Sequence, residues 1–107
     1  MTGEEFVRAC FEEKQSILNE YFSDEYRTTI AGHIKGLIVN GADKELLYSI
    51  INESMSEILY IMLRAIDGET SLNGIQNKYK LYDEDGNILN ECGELGKAAF
   101  KYLIENK

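Results

Sequence analysis

The residues predict a mostly helical α+β fold, with about four helices and one short β-hairpin between helices three and four. Three observations carry that expectation. Apolar residues recur at helical spacing in four stretches, each stretch opens on a Thr, Ser, Asp or Asn able to cap it, and one short tract straddles an Asp-Glu-Asp-Gly turn. A chain of 107 residues fits one domain spanning 1–107. With 44% hydrophobic residues, it has enough apolar material for a core.

Thr2-Gly3-Glu4-Glu5 fits a capping box, with acids at the positive end of the helix dipole. Phe6, Val7, Cys10, Phe11, Ile17, Leu18, Tyr21 and Phe22 follow on one face, interrupted only around Lys14, so helix one is expected over 3–22. Ser23, followed by Asp24 and Glu25, then offers a second N-cap. Tyr26, Ile30, Ile34, Leu37 and Ile38 share a face up to the Asn40-Gly41 stop. Gly32 and Gly36 each cost about 1 kcal/mol against alanine inside such a helix, and a close helix crossing would rationalise them.

Asp43 is placed to cap a third helix running to about Ile66, with Gly68 suited to the left-handed stop. Ser49, Asn52, Glu53, Ser56, Glu57, Tyr60 and Arg64 form one narrow polar stripe on it, and Leu, Ile and Met cover the rest. A helix so widely apolar must be central or must bury part of itself in a partner. After a Gly, Ser and Asn-rich loop, Tyr79–Tyr82 and Asn87–Leu89 flank Asp83-Glu84-Asp85-Gly86 and read as the hairpin. Asn90 can cap a last helix whose core face is Leu95, Ala98, Ala99, Tyr102 and Leu103. Asp67 opposes the dipole at the end of helix three. Arg64 could pair with it, or it could cap amides in the following loop.

The formal net charge is −8, of which residues 1–25 hold −5, from seven acids against two bases. Such a surface disfavours nucleic acid and membrane and would steer a basic protein partner, although acidity also serves solubility alone. Apolar runs stay short of the ~20 residues needed to span a bilayer. Met1 is followed by Thr-Gly-Glu-Glu rather than a basic-then-apolar leader, so a cytoplasmic location is expected. Cys10 and Cys92 accordingly read as free thiols.

Candidate chemistry is sparse. Asp83, Asp85, Asn87 and Glu94 match positions one, three, five and twelve of a calcium loop. Ile88 and Asn90 stand where that loop needs glycine and an apolar residue, and a hairpin turn explains the same residues. His33 is the single histidine, the cysteines lie far apart, and Gly32 and Gly36 lack the spacing of a phosphate loop. Glu12-Glu13 and Asp24-Glu25 are adjacent acids that usually diverge into water. No catalytic residue, metal or cofactor is therefore expected.

The tract Glu57–Glu69 (EILYIMLRAIDGE), followed by YKLYDEDGNILN and an amphipathic helix, resembles small bacterial immunity proteins of polymorphic and contact-dependent toxin systems. The shared pattern is Leu-x-x-Ile-Asp-Gly, then a turn with Asp-x-Asp-Gly. Where those relatives tend to carry a histidine after the leucine opening the last helix, this chain has Gly96 after Leu95. The resemblance implies a binding protein, not an enzyme, that covers a cognate toxin domain. Asp83, Glu84 and Asp85 would then be contacts to a basic nuclease surface, against the plainer reading of a solvated turn. The competing expectation is a homodimer or other homo-oligomeric module that buries the broad apolar surface of helix three across a two-fold axis.

Overall fold

The computed structural model describes residues 1–25 and 27–106. Helix α1 spans Gly3–Tyr21, α2 Thr29–Val39, α3 Lys44–Ile66 and α4 Glu94–Ala99. A 3-10 turn over Glu91–Gly93 leads into α4, which continues into a π-helical segment, Phe100–Glu105. The expected capping box closes α1: the Thr2 hydroxyl accepts from the Glu5 amide while the Glu5 carboxylate accepts from the Thr2 amide. Asp43 caps α3 by accepting from the Leu46 amide. At its other end Gly68 turns left-handed (φ +76°), while the Gly68 and Glu69 amides donate to the Ala65 and Arg64 carbonyls.

Helix two starts later than Ser23 suggests. The Ser23 hydroxyl donates to the Glu20 carbonyl and accepts from the Glu25 amide, so it closes α1, and Thr28 caps α2 through the Ala31 amide. Tyr26 lies outside the described residues. Among the described residues, nothing crosses over the α2 glycines. A methyl group added at Gly32 or Gly36 would meet nothing within 4 Å among the described residues.

The hairpin does not form. Among the described residues there is no strand, and the predicted tract holds an isolated antiparallel bridge between Tyr82 and Ile88 around a turn with Gly86 at φ +82°, a second such bridge joining Leu72 and Ile75. The reason is competition for backbone groups. The Tyr79 amide donates to the Ile66 carbonyl at the end of α3. Buried Asn90 accepts from the Leu81 amide (2.9 Å) and donates to the Tyr79 carbonyl (2.6 Å), taking groups a two-stranded ladder would need. Asn90 therefore does not cap the last helix. Asp67 serves that end instead: its carboxylate accepts from the Gly96 amide at 2.7 Å, while Arg64 lies over the Tyr60 ring.

Val7, Leu63, Leu95, Ala98, Ala99 and Leu103 form the core, with Phe6, Phe11, Leu59, Tyr60, Ile66, Leu81 and Tyr102 packed around it. The predicted face of the last helix is thus the one that turns inward. The core gathers the first half of α1, the last half of α3 and α4. Glu94 ties them further by accepting from the Gly3 amide at the start of α1. At the other end α2 packs on α1 through buried Ala31 and Ile34, and Phe22 meets Tyr48 with ring centroids 5.2 Å apart. None of the described helices is long and apolar enough to cross a membrane.

Candidate functional site

The interruption of the apolar face of α1 at Lys14 has a direct cause. Lys14 is 2% exposed, and its ammonium donates to Asn52 Oδ1 (2.7 Å) and Ser56 Oγ (2.9 Å) on α3, 4.9 Å from the Phe11 ring centroid. Part of the polar stripe of α3 therefore faces inward, toward α1. A buried ammonium costs several kcal/mol unless its hydrogen bonds are supplied, and these partners, with the ring, supply them. With that part of its polar side turned inward, α3 leaves large apolar residues outside: Leu46, Ile50, Ile58, Ile61 and Met62 are all more than a third exposed.

Beside this polar tie lies an open groove of about 600 Å³ between α1 and α3. Phe6, Ala9, Cys10, Glu13 and Ile17 line it from α1, Met55, Ile58 and Leu59 from α3, and Lys14 sits at its base. The small residues Ala9 and Cys10, between Phe6 and Ile17, leave the hollow. Burial pushes the Cys10 thiol up from its ordinary range, so it behaves as a small apolar group in the wall rather than a reactive thiolate. A groove of this size, almost wholly apolar and edged by Glu13, suits an inserted apolar side chain or helix face with a basic neighbour.

The three residues singled out from the sequence divide. Asp83 is turned into its own loop, where its carboxylate accepts from the Asp85 and Asn87 amides and from the Asn87 side chain, with the Met1 amine at 3.5 Å. Those bonds, the Asn87 side chain's first, hold it below the ordinary carboxylate range. Glu84 and Asp85 are exposed at the tip. Glu94, which completes the calcium-loop spacing, points to the start of α1. No group of three or more His, Cys, Asp or Glu is placed to hold a metal among the described residues.

The remaining acids spread over the surface. Glu12 pairs with Arg8, Asp24 with Lys35 and Glu25 with Arg27. Glu4 pairs with Lys101, which lowers the carboxyl and raises the ammonium from their usual values. Cys10 and Cys92 are free, the first half-buried and the second exposed. The groove itself was not foreseen from the sequence. Its two signals were there: a lysine on an apolar face, and a third helix with more apolar surface than its core contacts use. Comparison with protein-family models, curated proteins and solved structures finds no match to this chain.

Proposed function

We propose that the chain is a non-catalytic, cytoplasmic binding protein that neutralises a cognate bacterial toxin by direct contact, seating an apolar segment of a basic toxin domain in the α1–α3 groove. The groove is the observation that carries this reading: it is open, apolar and borders the most acidic stretch of the chain. The resemblance of the second half to immunity proteins supplies the class of partner. Exposed Glu84 and Asp85 are free to add long-range steering, whereas Asp83 is committed to its turn.

The test is capture from a lysate of the source cells by the wild-type protein and by Ala9→Glu, run side by side. Ala9 is exposed, so the substitution fills the groove without entering the core. The expected result is a retained protein that is toxic when expressed alone, harmless when co-expressed with wild type, and neither retained nor neutralised by Ala9→Glu. Equal capture and neutralisation by both forms would overturn the groove assignment, and retention of no toxic protein would overturn the toxin reading. The second reading, a homo-oligomeric structural or regulatory module without a toxin partner, is favoured by the exposed apolar face of α3.

A further inference from the structure

The chain exposes more surface than its mass warrants. A folded monomer of 12.2 kDa is expected to expose about 6,100 Å². This one exposes 6929 Å². The difference, roughly 850 Å², is close to the ~800 Å² that each partner buries in a standard stable interface. The radius of gyration points the same way, at 16.2 Å. A compact chain of this length would have about 13 Å.

Part of the exposed apolar surface lies on α3. On α3, Leu47, Ile51, Ser54, Ile58 and Ile61 succeed one another at intervals of four, three, four and three residues, the spacing of a helix-pairing seam. They lie on the side away from buried Ser56 and Leu63: Ser54, Ile58 (56%) and Ile61 (37%) are exposed, Leu47 and Ile51 are half-buried, and Ile50, beside the seam, is 52% exposed. No charged residue falls on the seam, and Glu53 and Glu57 only border it.

The seam is also close to symmetric about Ser54, with Ile51 three residues before it and Ile58 four after. Ser54 stands seven residues from Leu47 and seven from Ile61. When a second α3 is laid antiparallel, Ser54 meets Ser54 at the crossing, Leu47 meets Ile61, and Ile51 and Ile58 fall one residue, about 1.5 Å, out of level. The smallest residue of the seam thus falls where the two backbones come closest. Its hydroxyl already donates to the Ile50 carbonyl at 2.7 Å, so burying it strands no donor. Antiparallel packing also opposes the two helix dipoles. A surface that complements itself under a two-fold rotation is what an isologous dimer requires.

We infer that two copies of this chain associate through the outer face of α3, crossing antiparallel at Ser54. The dimer rests on the second reading above and deepens it, does not require the toxin partner, and places the interface beside the groove, since Ile58 belongs to both surfaces. Each copy therefore stands at the edge of the other's groove.

Sedimentation of the full chain across a wide dilution series, together with cysteine cross-linking, tests the inference. The expected mass is twice 12.2 kDa. Ile61→Glu, exposed in the single chain, should keep the helical circular dichroism of the wild type and weaken association roughly 30-fold or more. In a background with Cys10→Ser and Cys92→Ser, Ser54→Cys should oxidise to a covalent dimer. Leu46→Cys, eight residues away, should not, because its two copies would stand ~24 Å apart. A 12.2 kDa species at every concentration, dimerisation undisturbed by Ile61→Glu, or equal linking at both cysteine positions would overturn it. Ala9→Glu should leave the mass unchanged, so a failed toxin capture and a failed dimer are separate results.

Discussion

The two ends of α3 live in different surroundings. Toward its C-terminus, Leu63 and Ala65 are buried, Ile66 accepts from the Tyr79 amide, and Asp67 reaches across to Gly96. Toward its N-terminus, Leu46 and Ile50 are more than half exposed, and contacts include the Phe22 ring on Tyr48 and the buried polar cluster around Lys14. The C-terminal end is tied by both apolar and hydrogen-bonded partners on its inner face, while Ile58, Ile61 and Met62 on its outer face, like Leu46 and Ile50, stay exposed. Folding contacts and exposed apolar surface are thus separated chiefly by face along one helix. A substitution on the inner face near Leu63 should act on stability, and one on the outer face on association.

The largest expected effect lies in the core behind that inner face. Leu95→Ala, at a fully buried position, should cost about 2–5 kcal/mol in denaturant unfolding. A cost under ~0.5 kcal/mol, the surface value, would remove the basis of the comparison. Asn90→Ala comes next. It strands the Leu81 amide and the Tyr79 carbonyl in a part-buried site and should cost about 1–3 kcal/mol by the same measurement.

At the open end the sign reverses. Gly36→Ala should stabilise the single chain by about 0.5–1 kcal/mol, since a methyl group there meets nothing within 4 Å among the described residues. A loss of stability would mean that α2 is covered in a way the single chain does not show.

The smallest effect is at the Asp83 turn. Its carboxyl titrates below the ordinary range in the folded chain, because the ionised form accepts from Asn87 and Asp85. The unfolded chain therefore binds the proton first, and the turn's contribution is complete above the ordinary carboxylate pKa and lost as pH falls through the lowered folded value. Amide shifts of Asp85 and Asn87 followed by NMR through that range should show a midpoint below that of free aspartate. A midpoint at or above it would place Asp83 out of its turn.

Much of this was legible in the sequence where the signal is local. Thr2 and Glu5, Asp43, Gly68 and the spacing of Leu95, Ala98, Ala99 and Leu103 each act within a turn or two of their own position, and each does what its pattern implies. What escaped was set by residues far apart in the chain. Asn90 reads as a helix cap, but the free backbone groups of Tyr79 and Leu81 take it, and the hairpin is lost by the same exchange. Ser23 and Thr28 are both credible caps, and the choice depends on Ser23 being used at the end of α1. The groove depends on two helix faces meeting, and each face by itself reads as ordinary amphipathic surface.

Hydrogen exchange at high and at low protein concentration tests the separation of the two ends most directly. Segment 44–58 should exchange faster on dilution, as a covering copy departs, while 63–68 and 94–103 stay protected at both concentrations. Equal protection of 44–58 at both concentrations, or loss of protection in all three segments together, would contradict the account.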